Sequence, residues 1–203
     1  MRDELKKLYS LALNKLTRKD LSVCQMKNYL NEKNDNVQVI DEVINLLVER
    51  KFLDDQRLIY EVVLRLRAKG YGKHRIEKSL ESYQFDSKLV DTYVDDVAEK
   101  SLSDLSQLIK SIDVHVYHGS KKQVIKKIQE KFIRKGFSMS QVTSSVTDDI
   151  IEYDEFDSCK VDANKLYKNT ADEYLIKNKL YQKGYQNSTI QKVLEGRRAN
   201  EDK

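Results

Sequence analysis

Residues 176–194 read IKNKLYQKGYQNSTIQKVL and carry two apolar pairs, Ile176 with Leu180 and Ile190 with Leu194, at offsets 0, 4, 14 and 18. A four-residue step places both members of a pair on one helix face. Between the pairs lies Gly184, which can take the left-handed backbone that ends a helix. The stretch therefore predicts two amphipathic helices joined by a tight turn. The same offsets recur in Met26, Leu30, Ile40 and Ile44, in Ile76, Leu80, Val90 and Val94, and in Ile128, Phe132, Val142 and Val146. The first anchors stand at 26, 76, 128 and 176, so the period is 50, 52 and 48 residues. All sixteen positions are apolar in a chain that is 39% apolar, and near-constant recurrence of this kind is the signature of a repeat architecture.

A further helical segment precedes each pair. It is clear in Leu5, Leu8, Ala12 and Leu16 and in Ile59, Val62, Val63 and Leu66, and less regular near Leu102–Ile112 and Ala163–Tyr167. Five residues past the second anchor come Phe85, Phe137 and Tyr185, placed to plug the corner of the turn. The chain has no proline, where ordinary usage would give about ten, so nothing forbids helix anywhere. Strand-like alternation is confined to short runs such as Val114–Tyr117. The expected fold is all-α, an elongated, curved array of tandem three-helix repeats with helices a, b and c in each. The repeats are expected over 1–52, 53–99, 100–153 and 154–203, as one continuous array.

No apolar run in the 203 residues approaches the ~18 of a membrane helix, and Met1 to Leu16 alternates charge with leucine instead of holding a signal-peptide core. A cytoplasmic protein with no membrane partner is the expectation. Cys24 and Cys159 lack paired spacing and read as free thiols of a reducing compartment.

The net charge of +4 says little, because 37 basic residues face 33 acidic ones; their placement says more. Ser120 to Phe137 carries seven lysines and arginines against Glu130 alone, while Asp148 to Asp157 carries six acids and no base. The second repeat has Lys69, Lys73, Arg75 and Lys78 before or on helix b and Asp86, Asp91, Asp95 and Asp96 on helix c. The signs are thus expected to alternate by helix. At 100° per residue, Lys122, Lys126, Lys127 and Arg134 fall away from the Ile128–Phe132 stripe, and His74 and Lys78 from the Ile76–Leu80 stripe. A single lysine so placed reads as solvated surface; the repeated excess on helix b reads as a surface for phosphates. An acidic helix c argues against a helix-turn-helix reader, whose second helix must enter the major groove between phosphates.

Nothing points to an enzyme. The pairs Asp54-Asp55, Asp95-Asp96 and Asp148-Asp149 suit helix caps better than a metal nuclease, since adjacent helical residues diverge by about 100°. His115 and His118 have no cysteine or further histidine nearby to complete a zinc site. Gly70-Tyr71-Gly72 lacks the continuation of a nucleotide-binding loop, and Tyr71 reads as a turn contact, with base stacking as the alternative. No cofactor and no metal are expected.

The segment Phe52-Leu53-Asp54-Asp55-Gln56-Arg57, the helix running to Arg67, the turn Gly70-Tyr71-Gly72 and the pair Arg75-Ile76 resemble the signature of the RecX family. In that family these motifs mark the second three-helix repeat. Leu11 to Leu16, Arg18, Leu21, Ser22 and Met26 to Leu30 are similar to its opening pattern. The specific resemblance covers Leu8 to Val94; the later repeats match in spacing more than in identity. Two departures stand out: Tyr83-Gln84-Phe85 replaces the usual Lys-Gly-Ile turn, and Ile59 stands where a small residue is common. The resemblance implies a non-enzymatic negative regulator of RecA that binds the groove of the RecA–DNA filament and suppresses ATP hydrolysis, strand exchange and co-protease activity. Implied partners are the RecA filament and single-stranded DNA, with the chain acting as a monomer. The residues expected at that interface are Arg57, Arg65, Arg75 and Lys78 together with Lys122, Lys126, Lys127 and Arg134. The alternative is a general nucleic-acid-binding scaffold with no recombinase partner.

Overall fold

The computed structural model describes residues 2–201, the side chains of 95–101, 200 and 201 excepted. Those residues form helices α1 (Arg2–Leu16), α2 (Val23–Asn31), α3 (Val37–Glu49), α4 (Asp55–Ala68), α5 (Lys73–Glu81), α6 (Ser87–Lys110), α7 (Lys121–Arg134), α8 (Met139–Ser145), α9 (Phe156–Tyr167), α10 (Glu173–Gln182) and α11 (Asn187–Glu201), with one 3₁₀ turn at Val114–Val116. Among the described residues there is no strand. The fold is all-α and built of tandem helical repeats. It divides into two compact units, one of residues 1–104 with 135–137, the other of residues 105–134 with 138–203.

In the first unit α1, α2 and α3 close around one core: Leu8, Ala12, Met26, Leu30, Ile40, Val43, Ile44 and Leu47 are all buried in it. Local chemistry sets the helix ends. Ser22 and Gln25 form a reciprocal capping box on α2, and Asn36 caps α3. A second core gathers Ile59, Val62 and Val63 of α4, Ile76 and Leu80 of α5, and Val94 of α6, with Val90 half-buried beside it. Asp54 starts α4 by accepting from the Arg57 N–H at 3.1 Å. Gly70, at φ 72°, ends it, and the Tyr71 N–H turns back to the Leu66 carbonyl at 3.1 Å. Fifteen of the sixteen anchors are thus buried, Val90 alone remaining half-exposed. Truncating such a fully buried Leu or Phe to Ala costs about 2–5 kcal/mol.

Helix α6 runs unbroken from Ser87 to Lys110, so the third helix of the second repeat continues directly into the first helix of the next. The expected division at 99/100 falls inside it. No glycine or proline interrupts these residues, and nothing in the backbone chemistry would stop the helix.

In the second unit Val124, Ile128 and Phe132 of α7, Val142 of α8 and Val146 just past its end are buried. A further core joins Cys159 and Ala163 of α9, Ile176 and Leu180 of α10, Tyr185 of the turn, and Ile190 and Leu194 of α11. Here one expectation fails. Helix α8 (MSQVTSS) carries no charge, and the acidic run beginning at Asp148 lies in the following turn and the start of α9. The alternation of sign by helix therefore holds in the second repeat but not the third.

A joint recurs between successive repeats. The hydroxyl of Ser22, at the N-cap of α2, donates to the Tyr83 carbonyl. Ser120, ahead of α7, donates likewise to the Lys183 carbonyl at 2.8 Å. At the corresponding place ahead of α5 stands Gly72, and backbone replaces side chain: Gly72 N–H donates to Lys135 O at 2.9 Å and His74 N–H to Gly136 O at 3.0 Å. A Cβ on Gly72 would lie 2.6 Å from the Gly136 carbonyl group, so the second glycine of the Gly70-Tyr71-Gly72 turn exists for this approach. In each joint one accepting carbonyl, that of Tyr83, Lys135 or Lys183, precedes a residue of positive φ: Gln84 at 56°, Gly136 at 93° and Gly184 at 87°.

Carboxylates tighten two of the joints. Asp55 accepts from the Val23 N–H at 2.9 Å. Glu155, buried at 4% exposure, accepts from Lys121 N–H and Gln186 N–H, both at 2.7 Å, and so ties the starts of α7 and α11 to α9. Helix starts carry unsatisfied N–H groups and a positive dipole end, which makes a carboxylate the apt partner.

Candidate functional site

The amphipathic pattern places the basic side chains on solvent faces. On α5, Ile76 and Leu80 turn inward while His74, Arg75 and Lys78 are exposed. The Arg75 guanidinium lies over the Tyr71 ring at 5.5 Å, and Tyr71 packs on the core beneath as a turn contact. Glu77 draws Lys73 (3.8 Å) and His74 (3.3 Å), so the outward charge of α5 rests on Arg75 and Lys78. On α4, Arg57 and Arg65 are exposed, Arg57 paired with Glu61 at 3.5 Å. Arg67, which the sequence did not single out, makes a bidentate pair with Asp104 at 2.8 and 2.9 Å and anchors α4 to α6.

On α7, Lys122, Lys126, Lys127 and Arg134 are all exposed, opposite Val124, Ile128 and Phe132. They are not equivalent. Lys127 Nζ donates to the His118 carbonyl at 2.7 Å, and neighbouring Lys121 pairs with Asp148 at 3.5 Å. Lys122 and Lys126 instead line a groove of about 540 Å³ against the α10–α11 turn. Its opposite wall includes Tyr181, Gln182, Lys183 and Asn187, and its lining holds no acidic residue. Tyr181 and Lys183 lie some sixty residues away in sequence, beyond the reach of any local spacing. The signal that finds them is the joint, which sets the start of one b helix against the b–c turn of the next repeat.

The groove's support is electrostatic as well as geometric. Lys183 Nζ donates to Asp162 at 2.8 Å, and the Tyr185 hydroxyl donates to the same carboxylate at 3.0 Å. Burial alone would raise the Asp162 pKa, but the hydrogen bonds from Lys183 and Tyr185 and the charges of Lys183 and Lys165 outweigh it and hold it below its ordinary 3.8. The Tyr185 hydroxyl shifts upward, from burial first and then from donating to Asp162. Burial, reinforced by Glu155 and Asp162, pushes the Cys159 thiol up to about 11, which keeps it protonated and inert.

The paired acids have structural work. Asp54 caps α4, and Asp55 serves the Val23 amide, with burial as the chief influence raising its pKa. Asp148 pairs with Lys121. The side chains of Asp95 and Asp96 lie outside the described residues. Among the described residues no group of three or more His, Cys, Asp or Glu side chains could hold a metal, and no helix is long and apolar enough to cross a membrane. What each unit offers is a set of exposed cations on ordered helices.

Comparison with known proteins gives these features a context. No family model matches the chain. The regulatory protein RecX of Bacillus subtilis (strain 168) is 26% identical over 219 residues, covering 95% of this chain and 77% of that protein. The Leuconostoc mesenteroides regulatory protein RecX is also 26% identical, over 95% of this chain and 76% of its own. That of Acinetobacter baylyi reaches 32% over 45% of this chain and 57% of its own. In fold, the crystal structure of RecX from Lactobacillus salivarius superposes with a TM-score of 0.63 at 20% identity, over 74% of this chain and all of that one. In sequence the chain is thus similar to RecX regulatory proteins over nearly its whole length, and it shares the helical-repeat fold of the solved RecX structure.

Proposed function

We propose that this protein is a non-enzymatic negative regulator of RecA. It binds along the groove of the RecA–DNA filament and suppresses ATP hydrolysis, strand exchange and co-protease activity. The observation that carries this reading is the similarity to RecX regulatory proteins over 95% of the chain, which takes in every repeat. The exposed cations agree with it: a filament built on DNA is a polyanion, and ordered lysines and arginines offer it phosphate contacts at little cost in order. The residues assigned to the filament are Arg57, Arg65, Arg75 and Lys78 in the first unit and Lys122, Lys126, Lys127 and Arg134 in the second.

Co-sedimentation tests the partner. The protein should pellet with RecA filaments formed on single-stranded DNA at concentrations where bare DNA of the same length leaves most of it in solution. Equal pelleting with both would favour a general nucleic-acid-binding scaffold. Replacing the eight assigned residues with Ala, in two sets of four, should weaken pelleting while the helical circular dichroism stays intact. Undiminished pelleting would remove the site assignment.

A further inference from the structure

We infer that the groove between α7 and the α10–α11 turn is a nucleotide subsite for single-stranded DNA. In it Lys122 and Lys126 take the phosphates and Tyr181 stacks on a base. The inference rests on the reading that the protein works on DNA-bound recombinase, and it names where the strand itself is held.

The argument comes from comparing equivalent joints. Two and six residues past Ser22 stand Cys24 and Asn28, and the side chain of Gln84 fills the space before them. Its Oε1 accepts from Cys24 Sγ at 3.5 Å and from Asn28 Nδ2 at 3.0 Å. That joint is neutral and closed. Two and six residues past Ser120 stand Lys122 and Lys126, and the residue in the place of Gln84 is Gly184. A Cβ on Gly184 would already meet Ser120 Oγ at 3.1 Å and Lys122 Cβ at 3.8 Å, so the missing side chain is what leaves the groove open. The same position that is plugged in the first unit is thus vacated in the second and lined by cations.

The remaining chemistry fits one kind of occupant. The third lysine of the lining, Lys183, is held by Asp162, which leaves Lys122 and Lys126 to meet an anion. Tyr181 is 68% exposed and packs in none of the core clusters among the described residues, so its ring stands open to solvent at the groove's edge. Lysines beside an exposed aromatic face are the elements of single-strand recognition, in which phosphates are neutralised and bases stack without sequence preference. Duplex DNA keeps its base faces inside the stack and could use only the lysines.

Fluorescence anisotropy with labelled oligo(dT), an abasic strand of equal length, a duplex and oligo(U) tests the proposal on the full chain. Wild type should prefer oligo(dT) to the abasic strand. Tyr181→Ala should weaken oligo(dT) binding roughly 5- to 150-fold and abolish that preference, while Tyr181→Phe retains it. Lys122→Ala with Lys126→Ala should lower the slope of log affinity against log salt by about 1.4, or about 0.7 per lost phosphate contact. Equal wild-type binding to oligo(dT) and the abasic strand, or an unchanged affinity in Tyr181→Ala, would overturn the proposal. Tighter binding to duplex or to oligo(U) would also overturn it. If oligo(dT) is not bound but RecA is still inhibited, the subsite fails while the regulatory reading stands.

Discussion

Glu155 offers the sharpest test of how the repeats are held. The side chain stands at the N-cap of α9 yet makes no cap for its own helix; Asp154 supplies that by accepting from the Phe156 N–H at 2.9 Å. Its two oxygens go instead to Lys121 N–H and Gln186 N–H, each at 2.7 Å. Hydrogen bonds to a charged group contribute about 1.5–3 kcal/mol each, so losing both would remove about 3–6 kcal/mol. Lys121 is half-buried and Gln186 exposed, so water can reach the freed amides in part, and Glu155→Ala should fall at the lower end, about 3 kcal/mol. Glu155→Gln should keep one bond but set an NH₂ against an N–H at the other, costing about 2 kcal/mol. Equilibrium urea unfolding followed by far-ultraviolet circular dichroism would measure both, with an unchanged denaturant slope as the sign that the folded state survives. If both variants unfold within about 0.5 kcal/mol of wild type, the carboxylate is not the clamp described here.

Other substitutions probe different terms. Gly72→Ala should destabilise by about 1–3 kcal/mol or more in thermal unfolding, because its Cβ would strike backbone at 2.6 Å; Gly196→Ala, in open space within α11, should instead stabilise by about 0.5–1 kcal/mol. Asp162 carries a pH dependence. Its folded pKa lies below 3.8, so its contribution is present above that value and is lost as pH falls through the folded pKa. Asp162→Asn should therefore be less stable than wild type near neutrality, with the gap closing on acidification below pH 3.8; a gap that widens with acid would reverse the assignment.

The sixteen anchors were legible because burial imposes period on sequence, and only Val90, near the end of the loosest quartet, is not fully enclosed. The corner aromatics were legible for the same reason: Phe137 and Tyr185 are buried, while Phe85 stacks on Tyr83 with centroids 5.2 Å apart. Continuity of α6 was hidden by the expectation that every repeat begins a new helix, although its lack of glycine and proline carried the information. The acids after α8 misled because charge sign was read by segment, and the early end of α8, with Val146 at its C-cap, has no strong breaker in sequence. Glu155 stands in the sequence only as one of six acids between Asp148 and Asp157; its burial follows from two amides far away in the chain, a relation no local pattern encodes. The pairing of Lys122 and Lys126 with Tyr181 was hidden for the same reason.

The central claim is that the chain regulates RecA on its filament, and DNA-dependent ATP hydrolysis by RecA from the same organism tests it most directly. Titrated into preformed filaments, the protein should inhibit at well below one molecule per RecA protomer, and added bare single-stranded DNA should not relieve the inhibition. Inhibition only near saturation of the DNA, relieved by excess strand, would mean simple competition for DNA and would contradict the account, as would no effect on hydrolysis at all.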